Sequence, residues 1–177
     1  MVKTAISISY FRNSYEDMIQ WIPNTAGKYQ PQNCRKVISD GVETSLVLLS
    51  GQMLRIERTY TYNDTEDSET HFYLQRRPLN KYGMVFLINP SGNLRITINY
   101  NHSGRRVEWA DTDFDGKPDQ QKGMSAYSKV DLSGSYKLSR STEIFFRVEN
   151  LFDEDYTEAI GYNTAGVSSY SGVRIVL

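Results

Sequence analysis

Apolar and polar side chains alternate along most of this chain with a period of two, the pattern of strands that keep one face dry and one face wet. The clearest case is Thr142–Asn150, where Ile144, Phe146 and Val148 share one side and Glu143, Arg147 and Glu149 the other, with Phe145 among the charges. Val130, Leu132, Tyr136 and Leu138 likewise oppose Lys129, Asp131, Ser133, Ser135 and Lys137. Leu94, Ile96, Ile98 and Tyr100 oppose Arg95, Thr97, Asn99 and Asn101. Leu54, Ile56, Tyr60 and Tyr62 oppose Arg55, Glu57, Thr59 and Thr61, with Arg58 interrupting the apolar set. Val173, Ile175 and Leu177 oppose Gly172, Arg174 and Val176. Further strands are expected from Ala5 to Trp21, Lys36 to Leu49 and Arg77 to Asn89. In the last of these, Tyr82 to Ile88 is apolar on both sides, so alternation assigns it no face. The pattern predicts an all-β, antiparallel meander of about eight strands and no substantial helix.

The connections sort into two lengths. Ser50-Gly51, Pro90-Ser91-Gly92 and Ser139-Arg140-Ser141 read as tight turns. Pro23 to Arg35, Asn63 to Gln75, Ser103 to Ser125 and Phe152 to Ser169 are long, polar and rich in Asp, Asn and Gly. Short and long alternate, which in a meander gathers every tight turn at one end and every long loop at the other. Outer-membrane barrels have that plan. Alternation does not say what the dry face meets: lipid in a membrane barrel, or the interior of a soluble sandwich. A wet face of Arg55, Glu57, Arg95, Lys129, Asp131, Arg147 and Glu149 suits a hydrated lumen of paired charges and favours the barrel.

Composition narrows the classes. The length of 177 residues is that of about one domain, and a net charge of −1 gives no pull toward nucleic acid. Thirteen Tyr and seven Phe accompany a mean hydropathy of −0.53, which suits one-sided strands better than a thick helical core. No apolar run of about 18 residues is present, so no membrane-spanning helix is expected. The single Cys34 excludes an intrachain disulfide and a zinc set. Met1 to Ser7 lacks the apolar core and cleavage site of a signal peptide, so the chain is expected to carry no export signal of its own.

One constellation carries metal chemistry. Asp111, Asp113 and Asp115, then Gly116, the Lys117 carbonyl and Asp119, resemble the start of an EF-hand-type loop, in which alternate oxygens converge on Ca²⁺. Lys122 stands where that loop would place its closing Glu, and a solvated acidic turn is the other reading. Asn63 to Glu69 is acidic without Gly or regular spacing and is expected to be a solvated loop. Asp153, Glu154 and Asp155 are expected to fix the start of a loop. His71 and His102 are far apart with no nucleophile or metal partner, and no phosphate-binding loop or catalytic triad is present, so the chain is not expected to be an enzyme. Trp21, Tyr60, Tyr62, Tyr100, Trp109, Tyr127, Tyr136 and Tyr156 fall near strand ends, where a membrane barrel places its aromatic girdles.

Several motifs then occur in a fixed order. Tyr10-Phe11-Arg12-Asn13 is followed by Tyr15, Asp17, Met18 and Ile19, and Asn33 by Gly41-Val42-Glu43. Next come Tyr60 to Asp64, Arg76-Arg77-Pro78-Leu79-Asn80, Val130-Asp131-Leu132, Asn150 to Tyr156, Gly161 to Gly166 and Ser171 to Leu177. This series resembles the C-terminal region of TonB-dependent outer-membrane receptors. The resemblance implies that residues 1–177 are a single barrel segment, the last eight strands of a barrel of about 22 whose lumen is normally plugged. It implies a Gram-negative outer membrane, uptake of a scarce ligand (cobalamin or a ferric siderophore), and energy from TonB. The expected partners are outer-membrane lipid, the small-molecule ligand, the remainder of the barrel and plug, and TonB through an N-terminal part; no nucleic acid is expected. The plug domain and signal peptide are expected to be absent from this chain, which alone is not expected to transport. The loop from Gly161 to Gly166 is most like that of cobalamin transporters, and Tyr156 and Tyr162 are candidate ligand contacts. Such barrels usually end in an aromatic residue, where this chain has Leu177. The alternative from the residues is a soluble, Ca²⁺-dependent carbohydrate-binding β-sandwich with Asp111 to Asp119 at its site.

Overall fold

A computed structural model describes residues 1–111, 118 and 120–176; for Cys34 and Arg35 it describes the backbone alone. It contains β1 (Val2–Pro23), β2 (Tyr29–Ser50), β3 (Leu54–Asp67), β4 (Asn80–Ser91), β5 (Leu94–Ser103), β6 (Arg106–Ala110), β7 (Gln120–Met124), β8 (Tyr127–Lys137), β9 (Thr142–Glu149) and β10 (Ser168–Ile175). Eight of them form one antiparallel sheet in the order β1-β2-β3-β4-β5-β8-β9-β10, and β6 and β7 pair as a separate hairpin. The meander is the expected one. Tight turns follow β2, β4 and β8 at one end, and loops follow β1, β3, β5 and β9 at the other. The sheet is open: β1 and β10 are its two edges.

Three expected loops are corrected. Most of Pro23 to Arg35 is strand, because β1 and β2 each run 22 residues and only Asn24 to Lys28 separates them. The Asn24 Oδ1 accepts from the amides of Ala26 at 2.9 Å and Lys28 at 3.0 Å, and Gly27 takes φ 74°, which closes the turn. Pro31 is tolerated opposite Trp21 because β3 pairs with β2 only from Val37 to Ser50, so no neighbour asks for the missing N–H on that flank. Asn63 to Asp67 is likewise the end of β3 rather than a solvated loop. Ser39 donates to Asn63 at 2.7 Å, Thr65 donates to Asn63 at 2.9 Å, and Thr65 and Asp67 are buried. The stretch from Ser103 to Ser125 carries β6 and β7.

Register assigns the faces. Leu48, Ile56, Phe86, Ile98, Leu132 and Val148 lie directly opposite one another across β2, β3, β4, β5, β8 and β9, a continuous apolar row. The same ladder settles β4: Tyr82, Met84, Phe86 and Ile88 join the apolar face, and Gly83, Val85 and Leu87 the polar one. Above that row, toward the loops, Tyr60, Tyr82 and His102 form another row of direct partners, flanked by Tyr10, Tyr62 and Tyr100. Tyr60 stacks on Tyr82 with centroids 4.7 Å apart and donates to Asn80 at 2.8 Å. Tyr100 and His102 share the Ser128 hydroxyl at 3.1 and 2.9 Å. These rings form an aromatic belt on the rim of the apolar band, with the polar tips of Tyr60 and Tyr100 satisfied.

The sheet encloses almost nothing. Among the described residues only Val37, Leu74, Ala110 and Met124 are buried apolar side chains, while Ile6 and Ile8 are 70% and 72% exposed. The accessible surface is 12198 Å². A compact monomer of 20.4 kDa has about 8,800 Å² by the size scaling of folded proteins. A sandwich needs a second sheet over the first, and the described residues form no such layer beyond the small β6–β7 hairpin.

Candidate functional site

Polar chemistry concentrates at the loop end of the polar face. The β6–β7 hairpin stands there as a post, with a burial pattern inverse to that of an ordinary strand. Arg106 and Glu108 are buried along with Ala110, while Val107 and Trp109 are half-buried. Buried charges require partners, and both have them. Glu108, 2% exposed, accepts from Arg76 Nε at 2.6 Å and Nη2 through one oxygen, and from the Ile160 amide at 2.7 Å through the other. One carboxylate thus ties the β3–β4 loop, the hairpin and the β9–β10 loop together. Arg106 donates to the Ser125 carbonyl at 3.2 Å and to the Thr157 carbonyl, and its guanidinium lies 5.0 Å from the Tyr127 ring centre.

Other contacts brace the same post. The Arg76 amide donates to the Val107 carbonyl at 2.8 Å, Gln121 Nε2 to the Tyr73 carbonyl at 2.8 Å, and the Tyr29 hydroxyl to the Trp109 carbonyl at 3.2 Å. Phe72 meets Trp109 edge-on at 5.3 Å. Arg76 itself takes φ 59°, a left-handed conformation that an arginine rarely adopts and that its amide and guanidinium contacts hold in place.

Beneath these loops lies a cavity of about 570 Å³, lined by Arg76, Lys81, Arg106, Lys129, Asp131, Tyr127 and Glu158 together with Thr and Ser hydroxyls. Tyr127 packs on Tyr156 with centroids 4.5 Å apart and donates to Glu158 at 3.3 Å. Lys129 lies over the Tyr156 ring at 5.1 Å and donates to its hydroxyl at 3.2 Å. The loop carrying Tyr156 is set by Asn150, a buried residue at φ 51° that accepts from the Glu154 amide at 2.9 Å and donates to the Glu154 carbonyl at 3.0 Å. Asp153 fixes its far side by accepting from the Val167 amide at 2.9 Å. The cavity holds charges of both signs, hydroxyls and the Tyr127 ring, which Tyr156 backs from outside the lining; together these can bind a large, hydrogen-bonding ligand bearing anionic groups.

Of the two tyrosines chosen from sequence, Tyr156 sits against the cavity wall, and Tyr162 is 73% exposed in the same loop. Asp111 directly follows the hairpin's first strand, whereas Asp113, Asp115, Lys117 and Asp119 lie outside the described residues. Of the expected girdle, Tyr60, Tyr62 and Tyr100 join the loop-end belt and Tyr136 the apolar face near the turns, opposite Leu94. Trp109, Tyr127 and Tyr156 belong instead to the site. Sequence reasoning passed over Arg106 and Glu108, and placed Lys129 on the wet face without assigning it to a site. The alternation Arg106-Val107-Glu108-Trp109 signals a short strand, but the burial of its charged side comes from loops distant in sequence.

Residues 3–151 match the family model described as "TonB dependent receptor-like, beta-barrel". The chain is 27% identical over 168 residues to the vitamin B12 transporter BtuB of Vibrio vulnificus (strain YJ016), covering 94% of this chain and 25% of that relative. It superposes with a TM-score of 0.76 and 16% identity on the ferripyoverdine receptor of the outer membrane of Pseudomonas aeruginosa, covering 97% of this chain and 25% of the other. The copper transporter OprC gives a TM-score of 0.75 at 15% identity, with 98% of this chain and 28% of that one covered. At those identities the likeness is one of fold. The chain spans about a quarter of the length of the curated relatives it matches.

Proposed function

This chain belongs to the TonB-dependent receptor β-barrel family, and from that premise we propose that it forms wall strands of an outer-membrane receptor that takes up cobalamin or a ferric siderophore, driven by TonB. The observation that carries the reading is the two-faced sheet: a continuous apolar row and aromatic belt on one side, and on the other a charged cavity roofed by the long loops. In a Gram-negative outer membrane the apolar row meets lipid, the turns face the periplasm and the loops face outward. Cobalamin is the first choice of ligand. Likeness to a B12 transporter runs through 94% of the chain, whereas likeness to the siderophore receptor is carried by the fold. In this reading Tyr127, backed by Tyr156, supplies a flat wall, Lys129 and Arg106 attract anionic groups, and Tyr156 and Tyr162 reach the ligand from the β9–β10 loop. Transport itself requires the remainder of a barrel, a plug and TonB.

Equilibrium dialysis of labelled cyanocobalamin against the chain refolded in detergent micelles tests this. Retention above that of empty micelles is expected, weakened about tenfold, or about 1.4 kcal/mol, in Lys129→Ala and Tyr156→Ala. Stronger retention of ferric enterobactin would reassign the ligand, and retention of neither by a folded chain would overturn the proposal.

A further inference from the structure

We propose that the turn end of the apolar face holds one anionic phospholipid, with an acyl chain in a groove across β8, β9 and β10 and the phosphate at Arg140. Register puts Leu94, Tyr136, Ile144 and Val173 in one row of direct partners, and Gly134, Phe146 and Ser171 in the next row toward the loops. The Phe146 ring lies over Gly134, where a Cβ would meet it at 2.5 Å, so its bulk is committed to the β8 side. Ser171, on the β10 side, is small and exposed. That step in height opens a hollow of about 430 Å³, lined on this face by Leu94, Tyr136, Ile144, Phe146, Ser171 and Val173. Its wall is hydrocarbon and aromatic except for one hydroxyl, which suits an acyl chain.

The groove leads to a cation. Leu138, Thr142 and Ile175 form the last row before the β8–β9 turn, and Leu138 and Ile175 are both exposed. Arg140 stands in that turn, four residues beyond Tyr136, which is about 13 Å at the rise of a strand. The other two tight turns, Ser50 to Met53 and Pro90 to Asn93, hold no charged residue. A second hollow, of about 560 Å³, brings Arg140 together with Leu138, Lys137, Arg174 and the flanking Ser139 and Ser141. Its one carboxylate, Glu143, already accepts from Arg174 at 3.1 Å, and among the described residues Lys137 and Arg140 enter no ion pair. Surplus positive charge beside an apolar groove complements a phosphodiester that carries hydrocarbon: the guanidinium and hydroxyls take the phosphate oxygens, and the groove takes the tail. A free phosphate would leave the groove empty, and a zwitterionic headgroup would bring a further cation to Arg140 and Lys137. The other end of the same face is unlike it. Beyond the tyrosine belt it carries Asp40, Asp64 and Glu66 against Arg12, an excess of carboxylates that repels an anionic lipid. The inference rests on the receptor reading for one thing, that the apolar face meets lipid.

The test is native mass spectrometry of the full chain refolded in non-ionic micelles that contain equal amounts of phosphatidylglycerol and phosphatidylcholine with identical acyl chains. Retention of one phosphatidylglycerol per chain, in excess over phosphatidylcholine, is expected. Arg140→Gln, which alters only a turn, should cut that excess about fivefold. Ser171→Leu, which fills the groove, should lower retention of both lipids, and Arg58→Gln, on the same face near the belt, should change neither. Circular dichroism confirms that each variant is folded. Equal retention of the two lipids by the wild type would make them ordinary boundary lipid and overturns the proposal. So does an undiminished excess in folded Arg140→Gln, or unchanged retention in folded Ser171→Leu. Full displacement of the lipid by inorganic phosphate would make Arg140 a small-anion site and overturns it too. A chain that folds only in micelles yet shows no preference sinks this inference and leaves the receptor reading standing. A chain that folds in plain buffer sinks both.

Discussion

Glycine decides how closely these strands can pack. At Gly41 a Cβ would collide with both the Phe11 ring and the Tyr62 carbonyl oxygen. At Gly172 it would meet only the Phe145 ring, 2.6 Å from Cζ, and at Gly134 chiefly the Phe146 ring. Phe145 and Phe146 thus cover glycines of the two neighbouring strands on opposite faces of the sheet. A ring can turn aside and a paired backbone carbonyl cannot. Gly41→Ala is therefore expected to cost about 1–3 kcal/mol, as overpacking does, and Gly172→Ala less. Urea midpoints of the refolded variants measure this, and equal losses would contradict it. The Gly41-Val42-Glu43 motif was legible in the sequence, but its reason was not, since the carbonyl that excludes a methyl group lies on β3.

At the scale of elements, period-two alternation was enough to find eight main strands, because each has one face that must avoid water. It failed on β4, where Val85 and Leu87 are apolar yet lie on the polar face, and only pairing with β3 and β5 decides the sides. It failed on the hairpin for the opposite reason: β6 buries Arg106 and Glu108 against loops that no local window contains. Cavity residues were therefore visible only where they sat on long strands, as Lys129 and Asp131 do, and Tyr156, in a motif loop, backs the wall from outside the lining. Glu108→Gln keeps the shape but weakens the hold on Arg76. A cost of about 1–3 kcal/mol is expected, as for a buried partner left half-satisfied, together with earlier tryptic cutting at Arg105 or Lys122. Unchanged cutting would mean that the backbone and aromatic contacts brace the loops without it.

The apolar face yields a paired prediction. Ile98 lies within the continuous apolar row, whereas Arg58 lies one row nearer the loops, between Leu46 and Met84 and beside the aromatic belt. On a lipid-facing barrel an arginine costs about 2–4 kcal/mol at mid-membrane and about 0–1 near an interface. Ile98→Arg should then be severe and Arg58→Leu neutral or mildly stabilising, read from unfolding in lipid vesicles. Comparable small effects at both positions would indicate a water-exposed face.

For the whole molecule, the deciding quantities are an accessible surface of 12198 Å², about 1.4 times that of a compact protein of this mass, and four buried apolar residues among those described. A sheet with so little interior cannot offset its conformational entropy in water, and its apolar rows need another solvent. On the receptor reading lipid supplies it, and the belt of Tyr10, Tyr60, Tyr62, Tyr82 and Tyr100 marks one boundary. The most direct test is to refold the chain with and without detergent micelles, following β-sheet circular dichroism and heat-modifiable gel mobility. The account predicts a folded, heat-modifiable species in micelles and none in plain buffer. A monodisperse, folded β protein in buffer alone would contradict it.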